Sequence, residues 1–326
     1  MAFITDRETA KGIFDEAAER GVSIALFCTG SFWNTEAILL AASRFAQKHG
    51  IENIPVVVAM TSEYSHMQQT KRVTYSRDPR AGLRAVFEFA RLLSDGEAAP
   101  YPNVTVMTHL DHADPVKDAW ALTENTDLLT SVMFDAQEYP YEQNLAMTRE
   151  YVKNYGDKVL VEGIIENLAV GDGTGAARRD DYIEKAVRFI GETGVDFLVA
   201  DLGTEQQSAG MAAHYLKERA QALTAALGRK MLVLHGVSSL ADEQFAGFAA
   251  DGVVRVNMWT RIVRESGQYA ARRLVERLPQ IEANDFEAAE ATAYINDNVD
   301  RAAHIMEDTM ALLGYANLVS SIAAKG

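Results

Sequence analysis

The chain has 326 residues, 48% of them hydrophobic, enough to bury a large core. Its 31 Lys and Arg face 46 Asp and Glu, a formal net charge of -15, which argues against nucleic acid or an anionic membrane surface as partner. Cys28 is the one cysteine, so no intramolecular disulfide forms. No signal-peptide pattern opens the sequence and no apolar run reaches about 18 residues, so a soluble cytoplasmic protein is expected.

A first helix is predicted over 6–20, capped by Thr5 and stopped by Gly21, ahead of an apolar strand over 23–28. Helix 34–49, closed by Gly50, leads to strand 54–60, which ends in Thr61-Ser62-Glu63-Tyr64. A helix over 80–95 precedes strand 103–110, which switches abruptly to His109-Leu110-Asp111-His112. Strand 128–134 ends at Asp135, and helix 142–154 connects it to strand 159–165. A polar, glycine-rich stretch follows over 171–181. Helix 182–193 then leads to strand 197–201, and helix 211–227 to strand 231–236. Ser239 or Asp242 caps a short helix before the eighth strand, 253–257, and from about 260 to 324 the pattern is helical throughout.

Eight apolar strands alternating with helices predict a parallel sheet, and eight is the number that closes into a (β/α)8 TIM barrel. An open doubly wound sheet is the competitor. It would carry a phosphate-binding glycine fingerprint after its first strand, and Cys28-Thr-Gly-Ser-Phe-Trp is not one. With no repeat or linker in view, residues 1–326 read as one barrel domain, with 260–326 as a helical C-terminal extension.

Barrel strands deliver their C-terminal ends to one mouth. Gathered there are Cys28, Thr61, Ser62, Asp111, His112, Asp135, Glu162 to Glu166, Asp201, Glu205, Gln206, His235, Asn257 and Thr260. Strict alternation puts His109 and Asp111 on one face and Leu110 and His112 on the other, but a turn at the strand end would bring Asp111 and His112 to one cavity. Imidazoles converging with carboxylates suit a zinc-like divalent cation acting as a Lewis acid on a carbonyl. His112 and His235 are the candidate ligands, a third comes from Glu162/Glu166 or Glu205/Gln206, and Asp111 shuttles a proton. Plainer roles compete. Asp111 can cap a helix near Pro115, the two histidines can serve structural hydrogen bonds, Asp135 can fix a loop, and Cys28 can be a small buried side chain. Gly171 to Gly175 lacks the helix start and Lys-Ser/Thr of a phosphate loop and reads as a mobile lid.

Residues 104–112, 130–152, 194–204, 232–260 and 294–316 resemble the class II fructose- and tagatose-bisphosphate aldolase family. The resemblance is carried by Leu110-Asp111-His112, Ser131-Val-Met-Phe-Asp135, Leu234-His235-Gly236-Val-Ser238 and Arg255-Val-Asn257-Met-Trp-Thr260. It implies a (β/α)8 barrel, dimer contacts from the helical tail and hence a homo-oligomer. It also implies a metal-dependent retro-aldol site in which the metal polarises a ketone and stabilises its enediolate. By position, Asp111 is the acid acting on a substrate hydroxyl, and Asp172 falls where a mobile loop carries a catalytic glutamate. His112 and His235 bind the metal. Asn257 touches ketose hydroxyls, and Gly236, Ser238 and Thr260 contact a phosphate or its replacement, with Thr61 and Asp135 also at the substrate.

The departures are specific. The family's third histidine follows a Gly-Thr pair, which here reads Gly203-Thr204-Glu205-Gln206, so Glu205 or Gln206 stands in for that ligand. Ile164 replaces an alternate glutamate ligand, a Gly-Gly phosphate loop becomes Leu168-Ala-Val-Gly171, and Val237 and Ser239 replace glycines beside His235. Cys28 takes the place of an asparagine. Arg178, Arg179 and Arg261 are candidate counter-charges, although such arginines are usually solvated. The expected protein is a zinc-type metal-dependent aldolase-type lyase for a ketose or sugar acid, with altered or absent phosphate recognition. A sugar epimerase using retro-aldol and aldol steps, or a catalytically silent barrel serving as a binding or scaffold subunit, are the rivals.

Overall fold

The computed structural model describes residues 2–165, 181–204 and 213–319. Asp172, Glu205, Gln206, Glu166, Arg178 and Arg179 lie outside the described residues.

Eight parallel strands close into a ring: β2 (Ile24–Cys28), β3 (Ile54–Thr61), β4 (Val104–Ala113), β5 (Ser131–Phe134), β6 (Leu160–Ile164), β7 (Phe197–Val199), β8 (Leu232–Leu234) and β9 (Val253–Met258). Closure comes from β9 pairing with β2, Ile24 opposite Arg255 and Leu26 opposite Asn257. Every residue of these strands is buried, as expected where helices cover the sheet from outside and side chains fill the barrel. The eight apolar runs read from the sequence are these eight strands. An extra strand, β1 (Phe3–Ile4), was not among them. It pairs with β4 at Val106 and Met107, below the level at which β5 begins, and Thr130 Oγ1 donates to Ile4 O at 2.6 Å. Two residues carry no periodicity, so only this tertiary edge makes them a strand.

The helices are α1 (Arg7–Glu19), α2 (Phe32–His49), α3 (Pro79–Ser94), α4 (Ala119–Glu124), α5 (Tyr141–Tyr155), α6 (Tyr182–Thr193) and α7 (Lys217–Leu227). The cap of α1 is Asp6, which accepts from Thr9 N at 2.7 Å, and not Thr5 as the sequence suggested. Asp78 caps α3 by accepting from Arg80 N and Ala81 N at 2.8 and 3.2 Å, with Pro79 in the first turn. Helix α3 lies hard against the loop before it: a Cβ on Gly82 would meet Thr70 O at 1.9 Å.

The C-terminal extension is not one run of helix. It comprises α8 (Thr260–Glu282), α9 (Phe286–Ala289) and α10 (Ala291–Leu312). The break falls at Asn284, whose φ is 62°, and Asp285 then caps α9 through Ala288 N at 3.2 Å. α10 returns to pack on α2 and α8. The chain next places Tyr315 under the barrel floor, fully buried, where its hydroxyl donates to Pro55 O at 2.9 Å and accepts from Ala25 N at 2.8 Å. No helix among the described residues is long and apolar enough to cross a membrane.

Candidate metal centre and active site

At the end of β4 the backbone breaks its alternation. His112 has φ 49°, and the β4–β5 register shifts between Leu110 and Ala113. A left-handed conformation costs a non-glycine residue about 1–2 kcal/mol. Here it turns the His112 ring back to the side of Asp111, so that both line one cleft. This is the turn that the sequence left open. Also on the cleft wall are His235 at the end of β8, Gly236, Ser238, Asn257 of β9, Thr260 at the start of α8, Cys28, Tyr64, Met67, Met258 and Trp259.

Each histidine has a carboxylate on one ring nitrogen. His112 Nδ1 donates to Asp135 Oδ2 at 2.7 Å, and His235 Nε2 lies 3.3 Å from Glu162 Oε1. Asp135 is fixed in turn by Gln137, whose backbone and side-chain nitrogens donate to it at 3.2 and 2.9 Å. Below His112, the Tyr64 ring stacks at 4.1 Å and 7°. A carboxylate behind an imidazole holds the ring, sets its tautomer and leaves the other nitrogen for a metal. Asp111, His112 and His235 each offer a ligand atom within 4.8 Å of the others. Nitrogen and oxygen donors in this number fit a zinc-type divalent cation.

Electrostatics treat the groups differently. His235 is pushed down to about 4 by burial, so its imidazole is neutral and available as a ligand at neutral pH. Burial also works against a charge on His112, but the Asp111 carboxylate and the bond to Asp135 outweigh it and raise its pKa. Burial would likewise raise Asp111, yet the neighbouring His112, His109 and His235 hold it far below the usual carboxylate range. Cys28 Sγ lies 3.6 Å from Asp111 Oδ2, and burial pushes that thiol well up, so it stays protonated as a weak donor.

Beneath this layer the barrel holds a sealed polar network that sequence reading left mostly unremarked. Arg255, fully buried on β9, pairs with the fully buried Glu162 of β6 through Nη2. Its Nε donates to Asn257 Oδ1 at 3.2 Å, and Nη2 lies 3.5 Å from His109 Nε2. Asn257 Nδ2 reaches Asp111 Oδ1 at 3.4 Å and approaches His235 Nε2 at 3.0 Å. His109 Nδ1 is 2.8 Å from Ser131 Oγ, and burial, aided by Arg255, holds the ring neutral with a pKa near 3. The available signal was an arginine two residues before Asn257 inside an apolar strand, which alternation points inward with it.

Thr61, expected at the substrate, is placed elsewhere. It is fully buried, donates its hydroxyl to Met67 O at 2.5 Å and its amide to Gln69 Oε1 at 2.8 Å, and so braces the loop that carries Tyr64 and Met67. Strand pairing sets this: Thr61 is opposite Asp111, but its short side chain is taken by the returning loop. Ser238 Oγ accepts from Arg261 N at 3.1 Å, and the Arg261 side chain is engaged by Asp242 at 2.9 Å and Glu265 at 3.3 Å.

Residues 8–318 match the family model described as fructose-bisphosphate aldolase class-II. The fructose-bisphosphate aldolase of Streptococcus pyogenes serotype M1 is 29% identical over 260 residues, 77% of this chain and 78% of that protein. The 6-phospho-5-dehydro-2-deoxy-D-gluconate aldolase of Shouchella clausii is 32% identical over 185 residues, 56% of this chain and 61% of its own length. In fold, a crystal structure of the fructose-bisphosphate aldolase of Campylobacter jejuni superposes with a TM-score of 0.75 at 16% identity, covering 97% of this chain and 96% of that one. The chain belongs to the class II fructose-bisphosphate aldolase family, a family of metal-dependent carbon–carbon lyases.

Proposed function

We propose that the protein cleaves, by a retro-aldol step, a ketose or sugar acid that carries no phosphate at the reacting end. One observation carries the reading. No lysine or arginine is among the described residues that line the cleft around Asp111, His112 and His235. Of the three candidate counter-charges, Arg261 is the one among the described residues; it is already paired with Asp242 and Glu265, and the first-turn amide of α8 that it carries is donated to Ser238. A dianionic phosphate would therefore meet no free side-chain cation on this wall. Cys28, Tyr64, Met67, Met258 and Trp259 also line the cleft, a surface suited to the C–H face of an uncharged sugar chain.

In this reading His112 and His235 hold a zinc-type ion, with Glu205 or Gln206 as the third protein ligand. When bound, the ion supplies Lewis-acid polarisation of the substrate carbonyl. Asp111, an ionised carboxylate beside that centre, takes the proton from the hydroxyl whose carbon becomes the aldehyde. The C–C bond breaks, and its electron pair passes to the fragment that keeps the carbonyl. Asp172 is proposed to return a proton to that fragment. Asn257, Ser238 and Thr260 bind hydroxyls, and the backbone at Gly236 allows the substrate to come close. Asp111 being held by Asn257 and Cys28 and both imidazoles being backed by carboxylates support catalysis over a silent barrel. Exposed Val275, Leu278 and Phe286 give the C-terminal arm an apolar face that supports a homo-oligomer.

The test is a panel of phosphorylated and unphosphorylated ketoses and sugar acids given to the zinc-loaded protein and followed by NMR. Two fragments from an unphosphorylated substrate, lost at least a hundredfold in Asp111→Ala, are expected. One stereoisomer in place of two fragments would make the protein an epimerase. A hundredfold preference for the phosphorylated ketose would overturn the reading of the cleft.

A further inference from the structure

A second group of ligand-capable atoms lies under the first and shares Asp111 with it. Donor atoms of His109, Asp111 and Glu162 also fall within 4.8 Å of one another, and all three side chains are buried. By donor chemistry alone this inner group, two carboxylates and a neutral imidazole, suits a divalent cation as well as the outer one. Yet one positive charge is already there. Arg255 Nη2 is bonded to Glu162 and is 3.5 Å from His109 Nε2, while Nε holds Asn257 Oδ1 at 3.2 Å.

We propose that Arg255 is a built-in cation that fills the inner ligand group, so that the barrel takes a single divalent ion, at the outer group. The proposal rests on the reading of His112 and His235, with Asp111 beside them, as a metal centre. Three features argue for it. Glu162 is 0% exposed, and a lone buried carboxylate is strongly destabilising, so a cation is expected to accompany it. The guanidinium is not explained by hydrogen bonding alone, because its Nη1 is buried and finds no partner among the described residues. Lastly, the two arms of the fork face different clients. One holds Glu162, which backs His235, and the other holds Asn257, which reaches Asp111. Arg255 is thus a positioning residue for His235 and Asp111, two of the three members of the outer group, while denying Glu162 and His109 to a metal. A lysine would keep the charge but could not keep both arms.

The experiment is titration of the metal-free full-length protein with Co(II), read by visible absorption and by bound metal after desalting, for wild type, Arg255→Met and Arg255→Met/Glu162→Gln. Wild type is expected to saturate at one equivalent even in millimolar excess. Arg255→Met is expected to take two, with a new absorption band and a larger metal-induced rise in Tm than wild type shows. The double variant, which removes the whole buried charge pair, is expected to return to one. Two equivalents in wild type or in the double variant would overturn the proposal. One equivalent with an unchanged spectrum in Arg255→Met would overturn it while leaving the metal centre intact. No metal in wild type would instead remove the metal reading on which it rests. If Arg255→Met is insoluble without metal, recovery on refolding with Co(II) at two equivalents supports the proposal, and recovery at one overturns it.

Discussion

His112 lies near the end of β4 and Asp135 directly follows the neighbouring β5, and the 2.7 Å bond between Nδ1 and Oδ2 makes that acid the orienting partner of the imidazole. Asp135 thus serves the site at one remove. Asp135→Asn keeps the shape but loses the charge-assisted bond, and a lost orienting partner weakens metal binding by roughly 10–100-fold. Competition against a chromophoric chelator measures this, and unchanged affinity would show that Asp135 only fixes its loop.

The left-handed backbone at His112 gives a second expectation. His112→Gly and His112→Ala both delete the ligand, but only glycine relaxes at φ 49°. After the greater freedom of unfolded glycine is allowed for, the glycine variant should be the more stable by about 0.5–1 kcal/mol. Urea unfolding of the metal-free pair decides it, and an alanine variant at least as stable would mean that the turn carries no strain.

Gly82 couples a helix to the cleft wall. A methyl group there meets the backbone oxygen of Thr70 at 1.9 Å, an atom that no side-chain rotation can move aside, so either α3 or the loop after β3 must move. Gly82→Ala is expected to cost roughly 1–3 kcal/mol and to loosen the stack of Tyr64 on His112. A drop in Tm together with increased hydrogen exchange over 62–72 would be the signature, and exchange unchanged there would refute the coupling.

The same loop carries a pH dependence. Asp118 is fully buried, accepts from Glu63 N at 3.1 Å and Asp114 N at 3.0 Å, and burial pushes its carboxyl up to about 6. The folded state therefore binds the proton more tightly than the unfolded chain. That contribution is fully present below the ordinary carboxylate value and is lost as pH rises through about 6. Relative to a non-titrating Asp118→Asn variant, the wild type should lose roughly 3 kcal/mol between pH 3.5 and pH 7 and nothing further above it. A difference that is flat over this range would show Asp118 ionised throughout.

Strand number and order were legible because a barrel strand is buried on both faces, so its apolar run survives any detail of packing. His235 and Asn257 could be placed for the same reason, each at the end of such a run. His112 could not be placed by alternation, because its position depends on one dihedral angle that no neighbouring residue signals. The Arg255–Glu162 pair is 93 residues apart in sequence, and each member alone reads as an interruption of a strand. Thr61 misled for the opposite reason. It sits at a strand end like the functional residues, but the loop that follows folds back and takes its hydroxyl.

Tyr315 ties the two first-made strands of the ring to nearly the last described residue. Its hydroxyl joins Ala25 of β2 to Pro55 of β3, a proline whose carbonyl it satisfies from beneath the barrel. On the ribosome, β2 and β3 emerge more than 250 residues before that bridge exists, and β2 also waits for β9 to cover its free edge. The nascent chain thus carries an open, apolar sheet edge until β9 has been made. Ring closure therefore waits on β9, and until it pairs, the unpaired edge of β2 is where the growing sheet is open to wrong pairing.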